Sequence, residues 1–126
     1  MLKNPWPDFD VADAPRSPKS IVEELGAGLE NKTMGVVKFY RAGVRISDEN
    51  AASVTFNLYT PALRYHYPFL TITFPVDTSY PVKVVADKVP DAVANNENDL
   101  IASLTEIFNA PSTVQTIQRL MGLAEG

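Results

Sequence analysis

From Ala52 to Tyr59 the chain alternates without a break: Ala52, Val54, Phe56 and Leu58 are apolar, and Ser53, Thr55, Asn57 and Tyr59 fall between them. Side chains of an extended strand point to opposite faces with a period of two, so this pattern calls for a sheet with one face on a core and the other in water. Its flanks extend the sheet. Before it, from Met34, the pattern places Val36, Tyr40, Ala42, Val44 and Ile46 on one side and Arg41, Gly43 and Arg45 on the other, although Val37 and Phe39 make the second side partly apolar. Ser47-Asp48-Glu49-Asn50 is a turn between the two strands.

After a break at Thr60-Pro61, the stretch "LRYHYPFLTITFP" changes phase. Leu63, Tyr65, Tyr67 and Phe69 share odd positions opposite Arg64 and His66, whereas Leu70, Ile72, Phe74 and Val76 share even ones opposite Thr71 and Thr73. A strand keeps its period, so the flip calls for a bulge, and proline is tolerated at one; Pro68 is the expected place. Pro81 to Asp87 reads as a fourth strand with Val82, Val84 and Ala86 inward and Lys83 and Val85 outward.

Helices flank this run. Ser17-Pro18 is an N-cap followed by proline at the first helical position, and Ile21, Val22, Leu25 and Leu29 make an apolar stripe over 18–30, with Glu23, Glu24 and Glu30 on a solvated side. Asp91 to Asn98 reads as a polar connection. Asn96 then caps a helix bearing Leu100, Ile101, Leu104, Ile107 and Phe108, with Glu97 and Asp99 in the first turn, where the helix dipole favours acids. Ser112 and Gln115 form a capping box for a last helix with Val114, Ile117, Leu120 and Met121, ended by Gly122. Strands bracketed by helices imply an α+β domain in two layers, of order α-β-β-β-β-α-α: a four-stranded, mainly antiparallel sheet with one N-terminal and two C-terminal helices on one face. At 126 residues the chain is one such domain over 17–126, preceded by a Pro- and Asp-rich arm over 1–16. In the arm, Pro5, Pro7 and Pro15 exclude a helix or a central strand, and Trp6 and Phe9 are expected to fold back onto the domain, where large rings gain most from burial. The other reading of those rings is a short aromatic and acidic docking segment.

The stretches "SPKSIVEEL", "LYTPALRYHYPFLTI", "YPVKV" and "LIASLTEIFNAPSTVQTIQRLM" resemble those of a group of small bacterial α+β proteins with no assigned activity. The likeness covers most of Ser17 to Met121. It implies a bacterial origin and carries over no functional residue.

Composition narrows the chemistry. The chain has no cysteine and one histidine, which removes disulfides, thiolate catalysis, iron–sulfur clusters and the usual multi-histidine metal sites within one chain. The acids are scattered and match no calcium loop, there is no G-x-S-x-G elbow, and Gly26-Ala27-Gly28 lies in a helical pattern rather than a phosphate-binding loop. We therefore expect no catalytic residue, no metal and no cofactor. A hydrophobic fraction of 45% contains no run long enough to span a bilayer, and the first fifteen residues lack the apolar segment of a secretory signal, so a cytoplasmic protein with no membrane partner is expected. The net charge is −4, yet residues 31–47 hold four cations and no anion. That is thin for phosphate-backbone binding, so nucleic acid is disfavoured as a partner.

What remains is the solvated face of the sheet. Tyrosine and arginine on a rigid scaffold are enriched at interface hot spots, although threonine and tyrosine also suit any exposed strand. Arg41, Arg45, Tyr59, Arg64, Tyr65 and His66 are the candidate residues for binding a protein partner, a homodimer included, through the open face or through the edge strand nearest Pro68. Two alternatives stand beside it. One is a small-molecule or weakly catalytic pocket between sheet and helices with Tyr65, His66 and Tyr67 at its mouth. The other is single-stranded nucleic acid stacked on Phe39, Tyr40, Tyr59 and Tyr65 between Arg41 and Arg45.

Overall fold

The computed structural model describes residues 2–125. It is an α+β fold in which a five-stranded antiparallel meander, in simple sequence order, carries its helices on one face. The strands are β1 (Lys38–Ile46), β2 (Ala51–Thr60), β3 (Tyr65–Pro75), β4 (Val82–Ala86) and β5 (Val89–Ala94). The helices are α1 (Pro18–Gly26), α2 (Gly28–Lys32), α3 (Glu97–Phe108) and α4 (Pro111–Glu125).

The alternation in β2 decides the layering. Ala52, Val54, Phe56, Leu58 and Thr60 are all buried, while the residues between them are half-buried on the other face. Residues directly opposite on neighbouring strands share a face, so Leu70 beside Phe56, Ile72 beside Val54 and Val84 beside Ile72 continue the buried layer across the sheet. Ile21 and Val22 of α1 and Leu100 and Leu104 of α3 close it from the helical side with no exposed surface. Full burial of a side chain of this size stabilises the fold by about 1.5–3 kcal/mol.

The phase change in β3 is a bulge where it was expected. Phe56 faces Leu70 and Asn57 faces Pro68, which leaves Phe69 as the extra residue. Phe69 and Leu70 are therefore neighbours in sequence and both lie in the core. A second bulge lies beside Gly43, where the glycine allows the strand to bend, although its effect on the two faces is not apparent from the sequence: Arg41 faces Phe56 and Gly43 faces Thr55, so Ala42 is extra in β1. It overturns the expected faces of that strand. Phe39 and Arg41 point to the helical side with Val44 and Ile46, and Tyr40, Gly43 and Arg45 point to the open side.

The sheet has five strands rather than four. β5 occupies what reads as a polar connection, because Pro90 and Asp91 are poor strand residues; at the edge of the sheet, Pro90 removes no ladder bond that a central strand would need. Lys88, with φ of 59°, takes the left-handed turn position between β4 and β5. The first helix is also shorter than expected, stopping at Gly26 and resuming as α2. Asn96 caps α3 by accepting from the Asp99 amide at 2.8 Å, as expected. The capping box at Ser112 does not form: α4 starts one residue earlier at Pro111, and Thr113 Oγ1 donates to the Ile107 carbonyl at 2.7 Å. Gly122 does not end α4, which runs to Glu125.

Nor do the arm's rings fold back. Trp6 is 72% and Phe9 80% exposed, held in a segment that has one 3-10 turn, at Val11–Asp13, among its described residues. The arm is anchored at its end by the ion pair of Arg16 with Glu24 and by Ser17, which caps α1 by accepting from the Ser20 amide.

Candidate binding site on the open sheet face

The open face is built in rows that run across the strands. One row is Arg45, Ser53, Thr73, Lys83 and Val93, and the next is Gly43, Thr55, Thr71 and Val85. Ser53 and Thr73 hydroxyls meet at 3.2 Å, and those of Thr55 and Thr71 at 3.5 Å, so the middle of the face is a short ladder of hydroxyl groups. Beyond Asn57 and Pro68 the face ends in rings. Tyr59 and His66, opposite each other in register, stack with centroids 4.3 Å apart, and Tyr40 stands edge-on to His66 at 5.2 Å. Tyr40 is 51% exposed.

Of the six candidate residues, the structure places Tyr59, His66 and Arg45 on this face. Arg41 lies on the helical side, where its Nη1 meets Glu23 Oε1 at 3.1 Å. Tyr65 faces the buried Thr60 and therefore also lies on the helical side. Arg64 is not in a strand: with φ of 51° it closes the 3-10 turn Pro61–Leu63. Tyr40 is the residue that sequence reasoning put inside, and the apolar Phe39 next to it was the signal that the face assignment had to change.

The same ion pairs alter the charge picture. Among the described residues they join Arg16 to Glu24, Lys19 and Arg41 to Glu23, and Lys38 to Glu30. The acids of α1 and α2 thus take up two of the four cations of residues 31–47 and are not simply a solvated face. Arg45 and Lys83, at the far end of the open face from the rings, are left outside these pairs. The stacking surface of the nucleic-acid alternative is not assembled, since Phe39 packs in the core against Phe56 and only Tyr40 and Tyr59 of its four rings share the open face.

Two of the clefts on the helical side bear on the pocket alternative. One, of about 490 Å³, is walled by Tyr65, Tyr67, Leu120 and Leu123, with Lys88 and Arg119 at its margin; His66 is on the opposite face and takes no part. Tyr67 donates its hydroxyl to Asp87 Oδ2 at 2.6 Å, and that bond, with burial, raises its pKa above the ordinary phenol value. The other cleft, of about 410 Å³, has a floor of Phe39, Leu58, Phe69 and Phe108 between α1–α2 and α4. Among the described residues no three acidic or histidine side chains converge as a metal set, and no helix is long and apolar enough to cross a membrane.

Compared with family models, with curated proteins and with solved structures, the chain matches none of them.

Proposed function

We propose that the chain is a non-enzymatic binding module, bacterial and cytoplasmic, that recognises a protein partner through the open face of its sheet. The observation that supports this most is the ring cluster of Tyr40, Tyr59 and His66, held on a rigid meander beside a hydroxyl ladder and two cations outside the ion pairs. Such a surface offers large rings at low entropic cost, donors and acceptors between them, and positive charge for a carboxylate. The test is recovery of a partner from bacterial lysate by the wild type and by a Tyr40→Ala, Tyr59→Ala, His66→Ala variant with an unchanged thermal midpoint, with the recovered protein then purified and titrated against both. The expected result is a saturable complex with wild type that weakens at least tenfold in the variant. Equal affinity for both would overturn the open face as the site.

The Phe-floored cleft supports a second reading, an apolar small-molecule site. Its check is one-to-one binding of anilinonaphthalene sulfonate that Ile117→Trp, filling the cleft, abolishes; a signal unchanged by the substitution would end it.

A further inference from the structure

We propose that the cleft between β3 and α4 takes the Trp6–Asp10 segment of a second copy of this chain, each copy supplying one arm and one cleft.

Two features of opposite character lie unmatched on the same molecule. The cleft has apolar and aromatic walls in Tyr65, Tyr67, Leu120 and Leu123, two cations in Lys88 and Arg119, and no carboxylate among its lining residues. Neither cation is in an ion pair among the described residues. The nearby acid, Asp87, accepts the Tyr67 hydroxyl. The arm is the reverse: Trp6 and Phe9 stand in solvent, interleaved with Asp8 and Asp10. Two exposed rings within four residues are an apolar surface that association would remove from water, and the alternating acids match the two cations of the cleft.

The cleft also borders a free backbone edge. β4 pairs with β3 only from Leu70 to Thr73, so from Tyr65 to Pro68 the strand is paired on its β2 side alone. An extended segment beside it meets main-chain groups as well as side chains.

The geometry favours a second copy over the chain's own cleft. The arm leaves the domain at Ser17, where the Arg16 charge acts on the Tyr80 phenol just before β4. Tyr65 begins β3 and the cleft, whereas β3 ends at Pro75 on the side toward Tyr80. From Tyr65 to Pro75 is ten steps, about 33 Å at strand rise. From Arg16 back to Trp6 is ten residues, about 33 Å only if fully extended, and the 3-10 turn at Val11–Asp13 shortens it. Exchange between two copies has no such limit and gives two identical contacts about a two-fold axis.

Trp6 is the only tryptophan of the chain, so its emission reports this contact alone. Fluorescence and sedimentation are recorded together on the full chain from about 0.1 to 100 μM, which brackets micromolar association. The expected result is a blue shift of emission that follows a doubling of mass. Lys88→Glu with Arg119→Glu, and separately Asp8→Lys with Asp10→Lys, each raise the dissociation constant at least tenfold, and mixing the two charge-reversed chains restores the pair. Circular dichroism melts confirm that the variants are folded. Solvent-like emission with monomer mass throughout, a blue emission independent of concentration, or a dimer indifferent to Lys88 and Arg119 would each overturn the proposal. The cleft and the ring cluster lie on opposite faces, so the open-face variant leaves this readout unchanged and the two readings fail separately.

Discussion

Tyr67 shows how one hydroxyl can tie stability to pH. Its phenol donates to the Asp87 carboxylate, and losing the proton would set two negative oxygens 2.6 Å apart. That bond first, and burial second, raise the folded-state pKa above the phenol value of about 10. A raised pKa contributes stability that is fully present below the unfolded pKa and is lost as pH rises through the folded one. Tyr67→Phe is thus expected to cost about 1 kcal/mol at neutral pH. In urea melts carried from neutral into the alkaline range, the wild type should lose that advantage above pH about 10. A gap that stays constant across the range would mean that the bond does not carry the difference. Tyr80 is the contrasting case: its buried hydroxyl has no partner among the described residues, and burial, followed by the charge of Glu97, raises its pKa.

Among the elements, the junction of α1 and α2 rests on two glycines with opposite demands. A Cβ at Gly26 would overlap the Phe39 ring, so the absence of a side chain lets α1 sit directly on β1. A Cβ at Gly28 would meet nothing within 4 Å. Gly26→Ala should therefore destabilise the fold by about 1–3 kcal/mol through overpacking. Gly28→Ala, in the first turn of α2, should stabilise it by about 0.5–1 kcal/mol by restricting the unfolded chain. Thermal melts of the two variants check both signs: a stabilising shift for Gly26→Ala would contradict the close approach of Phe39, and a destabilising one for Gly28→Ala would contradict the open space there. These junctions also show where the sequence is readable. The strict alternation of β2, the stripe of α3 with its Asn96 cap and the phase flip at Pro68 each have a local physical cause and appear in the structure as expected. β5 does not, because a strand at an edge can accept Pro90 and Asp91, residues that read as a loop when pairing is unknown.

At the scale of the whole molecule, the candidate site was legible only as far as the register was. Tyr59 and His66 come together because Pro68 announces the bulge that aligns them. Arg41 was assigned to the wrong face for the same kind of reason, whereas Tyr65 lies on the side opposite His66, as its phase implies. The bulge at Ala42 has only Gly43 beside it to announce a bend, which does not say which residue is extra, and Tyr65 is placed by its opposition to Thr60 across the sheet. Faces are properties of paired strands, and pairing is not written in either strand alone.

The partial pairing of β3 makes the sheet a taper. It is five strands wide where β4 and β5 run alongside, and only β1, β2 and β3 continue past Leu70 toward Tyr65. At that narrow end the wall between the two faces is a single strand, with His66 turned to the open face and Tyr65 and Tyr67 turned to the cleft. One strand thus serves two surfaces by alternation alone, lending His66 to the rings and Tyr65 and Tyr67 to the cleft while its backbone holds both in register.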